Sequence, residues 1–434
     1  MSLKLTEHRL REDLVNELRA RPYRPLEVPA RISHLSMLGS EDSYSEDHEH
    51  ICKLCRKYNV PPPALGTNHL IADFGAFSLR WERHTEFSSY TFYGKDNSKL
   101  DEDDPFRETI LDYVPRPWLE ATPGRLLSAV HMVFENREKG CATHDRIERL
   151  FKGNPYVGSK VQDGAAKAWS DLRLHDDGFT RMLVQDIDLE PKQAGRLCQR
   201  LLDIETYRMM ALLALPVARA TSPRIRAIGS GVAEIATGMA EHSGSSDAAL
   251  LNHLSQLAAE IEEISASTSY RYGATQAYYN IFKNRLDELR EIRLGGLQTF
   301  SEFMLRRMEP AMKTCTYTAS RQTALSKRVS RVASLLRARV EVGLEEQNRD
   351  LLASMNKRVQ LQLRMQETVE GLSVVAISYY LVGLFGYALK GLKAEGLLPI
   401  SYETGVALSV PLVAGIVWYS IRKIKKHVLG KPEE

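Results

Sequence analysis

The sequence predicts an α+β cytoplasmic domain, then a long-helix domain, then a C-terminal two-helix transmembrane hairpin, mainly α overall. Three observations carry that prediction. Two blocks near the end of the chain, 371–389 and 404–421, contain no Asp, Glu, Lys, Arg or His. From residue 247 to 370 the chain is rich in Leu, Ala, Glu, Gln and Arg, and Pro310 is its single proline, a composition that favours long helices. Before residue 189, prolines and turn residues separate short stretches rich in Val, Phe, Tyr and Thr, as in mixed domains.

The mixed domain is expected to span 1–188. Helices are predicted over 6–21 and 48–58, and strands over 70–77, 79–93, 126–135 and 178–186. Within 79–93, a two-residue period puts Trp81, Thr85, Phe87, Thr91 and Tyr93 on one strand face and Glu82, His84, Glu86 and Ser88 on the other. The helical domain is expected over 189–370. Its first helix, 189–220, repeats Ala194, Leu197, Leu201, Ile204 and Tyr207 at three- and four-residue steps, with Pro191 in its first turn. A small, polar run over 241–247 reads as a loop, and Asp247 can cap the helix that follows. Leu335, Leu336, Val340, Leu344, Leu351, Leu352, Met355 and Val359 give 330–370 an amphipathic, coiled-coil-like pattern. Gln360, Gln362 and Gln366 interrupt that seam, so no oligomer number follows from it.

At ~1.5 Å rise per residue, the uncharged blocks reach about 27–29 Å, close to the ~30 Å hydrocarbon thickness of a bilayer. Block 371–389 is therefore read as the first transmembrane helix and 404–421 as the second, joined by an outside loop at 390–403. Gly391, Gly396 and Pro399 favour a turn there. The tail, 422–434, carries Arg422, Lys423, Lys425, Lys426 and Lys431, whereas the loop holds only Lys390 and Lys393. Positive charge stays on the cytoplasmic side, so both termini are expected there, in a multi-pass membrane protein. The first ten residues contain no apolar core of the kind a secretory signal needs, and no export signal is expected.

Composition narrows the function. Lys and Arg number 58 against 55 Asp and Glu, too even a balance to point to nucleic acid. Five cysteines, an odd and sparse set, argue against a disulfide framework. No Gly-rich phosphate loop, nucleophile elbow or His-Glu-x-x-His occurs, so familiar catalytic classes lack support and no cofactor is expected. The metal candidate is the face formed by Glu82, His84 and Glu86, which His69 or Asp73 could join from a neighbouring strand to make a divalent-metal or acid/base site. A solvated polar face opposite an aromatic core produces the same alternation. The run His48-Glu-His50-Ile-Cys52-Lys-Leu-Cys55 offers good zinc ligands, but on a helix its histidines point about 200° apart by the helical period, and no second pair completes a set.

Four segments, Asn68-His-Leu-Ile-Ala-Asp-Phe-Gly75, Trp81-Glu-Arg-His-Thr-Glu-Phe87, the run from Ala194 to Leu212 and Gln366-Glu-Thr-Val-Glu-Gly-Leu-Ser-Val374, resemble a bacterial family of uncharacterised membrane-anchored proteins. The resemblance spans nearly the whole chain and implies an inner-membrane protein with a large cytoplasmic part and no assigned reaction. The overall layout is also similar to the CorA-type magnesium transporters, although Phe385-Gly-Tyr-Ala-Leu-Lys390 stands where that family has Gly-Met-Asn. Two functions follow as expectations: a non-enzymatic scaffold or regulator that binds an unidentified protein partner, or an oligomeric ion channel or divalent-metal transporter. The expected partners are the lipid bilayer, that protein and further copies of the chain.

Overall fold

The computed structural model describes residues 8–12, 14–15, 23–39, 44–94, 103–136, 143–241, 247–394 and 401–428. The predicted helix over 6–21 and the loop over 241–247 lie for the most part outside them. The chain forms two compact units, Met1–Glu241 with Leu250–Ala333, and His242–Ala249 with Ser334–Glu434.

In the first unit the described residues form one nine-stranded sheet of order β2-β3-β4-β1-β5-β8-β7-β6-β9. The strands are β1 (Ala30–Leu38), β2 (His69–Asp73), β3 (Phe77–Arg83), β4 (Phe87–Gly94), β5 (Arg125–Glu135), β6 (Val157–Val161), β7 (Ala166–Ser170), β8 (Thr180–Asp186) and β9 (Ile292–Arg293). All neighbours are antiparallel except β5 and β8, whose parallel pairing needs the crossover that contains α3 (His144–Leu150), β6 and β7. Two further short helices, α1 (Tyr44–Lys57) and α2 (Arg116–Glu120), precede β5.

The predicted strand 79–93 is two strands. The chain reverses over His84–Glu86, closed by the His84 N–H donating to the Phe87 carbonyl at 2.8 Å, so Arg83 lies opposite Ser88 and Trp81 opposite Tyr90. Nothing in Arg-His-Thr-Glu is a glycine, proline or asparagine, which is why the turn carries no local mark. The reversal also corrects the faces: Phe77, Leu79, Trp81, Tyr90 and Phe92 share one core, while Tyr93 belongs to another. Likewise the strand predicted over 70–77 stops at Asp73, because Gly75, at φ +90, turns the chain back into β3.

Helices cover both faces. One face packs on α4 (Pro191–Leu212) and the helices after it, burying Ile32, Val130, Met132, Phe134 and Val184 against Leu197, Leu201 and Ile204. On the opposite face α1 and α2 cover one half, around Trp81 and Trp118, and α3 covers the other, around Phe151 and Trp169. The helix predicted over 189–220 breaks at Leu213 and resumes as α5 (Ala214–Glu241). Pro216, three residues past the break, has no N–H for the carbonyl one turn back, which explains the interruption. Two helices then reach into the second unit: α6 (Asp247–Asp287) begins in it, and α7 (Phe300–Ala394), 95 residues long, ends in it.

Within the second unit Arg339 pairs with Asp247 at 2.9 Å. The uncharged block 371–389 is the distal part of α7, and 404–421 lies in α8 (Tyr402–Val428). Both helices are long and apolar enough to cross a membrane, and only 6% and 11% of their most apolar stretches is covered, whereas a helix of this hydropathy in a soluble core is mostly buried. They pack closely where side chains are smallest. A methyl group on Gly405 would meet Leu389 at 3.2 Å, and one on Gly386 would meet the Tyr402 hydroxyl at 3.4 Å, the small-residue contact typical of helices in lipid.

Candidate functional site

The hairpin β3–β4 holds all three metal candidates, and its turn sends them to different neighbours. Glu82 lies on β3 and pairs with Arg80 at 2.9 Å, both side chains being buried. Glu86, at the turn, accepts from Arg271 of α6 at 2.5 Å and from the Tyr278 hydroxyl. His84 stacks on Phe87, with ring centroids 4.2 Å apart, and faces a cleft. His69 does lie opposite Glu82 in the β2–β3 register, as expected of an adjacent strand, while Asp73 caps its own turn by accepting the Gly75 N–H at 3.0 Å. Among the described residues no three His, Cys, Asp or Glu side chains are grouped to hold a metal ion.

The other sequence candidate behaves similarly. On α1, His48 bonds the Pro63 carbonyl at 3.0 Å and lies 3.6 Å from the Cys52 sulfur. His50, pointing elsewhere, stacks on Trp118 at 4.2 Å, and burial lowers its pKa to about 4. Cys55 is fully buried in the aromatic core, and burial raises its thiol to about 11, far from the thiolate that a metal needs.

What the hairpin builds instead is a cleft of about 490 Å³, bordered by Asn68, Arg83, His84, Phe87, Tyr207 and Tyr278. Three aromatic rings meet there: Phe87 lies edge-on to Tyr207 at 6.2 Å, and Tyr207 stacks on Tyr278 at 5.8 Å. The volume and the mixture of rings with a few polar groups are those of a small-molecule or side-chain pocket.

Behind the cleft, between the sheet and α4, lies a buried polar network. His34 Nδ1 is 2.8 Å from the Thr91 hydroxyl, and its Nε2 is 3.0 and 3.1 Å from the hydroxyls of Ser36 and Thr206. Burial, with the charges of His84 and Arg80 beside it, lowers the His34 pKa to about 3, so the imidazole is neutral and serves as one donor and one acceptor. Nearby on α4, burial lifts the Asp203 carboxyl to about 6 against the pull of Arg285, 3.0 Å away. Sequence reasoning missed His34, Thr206, Asp203 and Arg271 because strand and helix bring them together from up to 185 positions apart. The one available signal was Ser-His-Leu-Ser, polar residues placed inside an otherwise apolar run.

A family model for proteins of unknown function, DUF3422, matches residues 6–428, nearly the full chain. The chain belongs to that family. No curated protein and no solved structure matches it. DUF3422 membership therefore accords with the sequence resemblance to an uncharacterised family and assigns no reaction to the cleft.

Proposed function

We propose that this member of DUF3422 is a membrane-anchored scaffold or regulator of the bacterial inner membrane, with both termini and the globular unit in the cytoplasm and the hairpin cleft as its docking point for a partner. One observation carries the reading: the apolar stretches of α7 and α8 are uncovered, pack on each other through Gly386 and Gly405, and are followed by a basic segment around Arg422 and Lys423. Removing residues 371–434 tests it. The shortened chain should leave the membrane fraction and remain in solution, and its retention after carbonate extraction would refute the anchor.

A second reading, an oligomeric channel or divalent-metal transporter, is favoured by the unbroken run of α7 from a globular unit into an apolar stretch. Two spans per chain cannot enclose a pore, so this reading requires several copies. Counting chains per particle in nanodiscs separates the two readings, since a monomer excludes a channel.

A further inference from the structure

A second concavity lies in the first unit, between α5 and α7, far in sequence from the hairpin. Arg226 of α5 and Arg321 and Arg328 of α7 line this groove of about 390 Å³. Positions 321, 325 and 328 recur at four- and three-residue steps, so one face of α7 reads basic, apolar, basic. The buried Ile225 and Leu325 form an apolar floor. Small residues keep it open: even a methyl group on Gly229 would come no nearer than 4.0 Å to Leu325.

No acidic side chain lines the groove, and none of its three guanidinium groups has an ion pair or hydrogen bond among the described residues. Their neighbour Arg224, by contrast, is paired with Glu263 at 2.7 Å. Arginine stays protonated at every physiological pH, so the groove holds three like charges whose mutual repulsion an anion relieves. Guanidinium groups bind phosphate through paired N–H donors, and the Ser230 hydroxyl lies alongside. Arg321 and Arg328 are two helical turns apart, about 10.5 Å along the axis, so an anion that meets both without drawing the side chains together is elongated.

We infer that this groove binds an elongated soluble anion carrying two or more phosphate groups. The concave arrangement favours a soluble molecule over the flat headgroup surface of a bilayer, and the volume falls in the range of small-molecule sites. Isothermal titration of the full chain in neutral-lipid nanodiscs with tripolyphosphate tests it, with inorganic phosphate at matched ionic strength as the comparison. Tripolyphosphate should bind measurably tighter than phosphate. The double variant Arg321→Gln/Arg328→Gln and the single variant Arg226→Gln should each weaken it at least tenfold, with unliganded melting temperatures unchanged. Arg331→Gln, which removes an exposed charge outside the groove, should bind like the wild type. Absent binding, equal response to phosphate, undiminished affinity in the groove variants or an equal loss in Arg331→Gln would overturn the inference. Binding confined to nanodiscs with anionic headgroups would overturn it as well, by assigning the groove to the membrane surface.

Discussion

Acidification should destabilise the first unit through histidines that the fold keeps neutral, and His34 is the sharpest case. Its imidazole is 3% exposed, is bonded by three hydroxyl groups and has its pKa lowered from 6.5 to about 3. In the unfolded chain it takes up a proton as pH falls through 6.5; in the folded chain it does not until pH approaches 3, so stability is full above 6.5 and declines below it. At ~1.4 kcal/mol per pH unit, His34 alone removes about 2 kcal/mol by pH 5 and roughly 5 kcal/mol by pH 3. His50 and His131, both lowered to about 4 chiefly by burial, act in the same direction. Asp203, raised to about 6, acts in the opposite one: its folded form prefers the proton, so acidification through pH 6 offsets part of the loss. Thermal unfolding of the full chain in detergent, followed by near-ultraviolet circular dichroism from pH 7.5 to 5, isolates the His34 share when wild type is compared with His34→Gln. Gln keeps a donor and an acceptor but cannot titrate, so the variant should begin about 1–3 kcal/mol less stable at pH 7.5 and lose about 2 kcal/mol less on the way to pH 5. Parallel losses in the two proteins would refute the assignment.

Three further outcomes follow from the packing. Gly195→Ala places a methyl carbon 1.8 Å from the Arg24 carbonyl oxygen, a backbone atom that cannot swing aside, and should cost at least ~1–3 kcal/mol by the same melting assay, whereas Gly153→Ala meets no atom and pays only for its left-handed backbone. Arg271→Met leaves the Glu86 carboxylate, 8% exposed, without its cation, and should cost about 2–4 kcal/mol; Glu86→Gln combined with Arg271→Met should recover part of it in a double-mutant cycle. Met355→Pro interrupts α7 where the chain is exposed, at ~3 kcal/mol or more to the helix, and should change the particle's sedimentation while leaving membrane insertion intact; unchanged sedimentation would show that α7 is no continuous rod.

Much of the fold was legible because its signals are local. Charge-free blocks, a proline-poor stretch and three- to four-residue periodicity marked α4, the distal part of α7 and α8, and β5 and β8 emerged from their apolar runs. The central strand β1 did not, because eight of its nine residues are buried while Arg31, Ser33, His34 and Ser36 are polar: both faces are covered, so no alternation of apolar and polar residues marks it. Strands β6, β7 and β9 escaped because they are short, two to five residues each, and β9 is held only by a partner far along the chain, as in the pairing of Ser159 with Arg293. The Glu82, His84 and Glu86 pattern was real as a sequence alternation, but a three-residue turn without glycine sits in its middle. A two-residue period carries across a continuous strand and not across a reversal.

Accessibility of engineered cysteines across the membrane tests the membrane hairpin most directly. Four native cysteines, Cys52, Cys55, Cys198 and Cys315, are buried, so with Cys141 replaced by Ser the background is low. In intact cells, Glu403→Cys should react with an impermeant maleimide added from outside, and Lys423→Cys should react only after the membrane is opened. Labelling of Lys423→Cys in intact cells with Glu403→Cys protected would invert the topology, and equal labelling of both before and after lysis would contradict a membrane-crossing hairpin altogether.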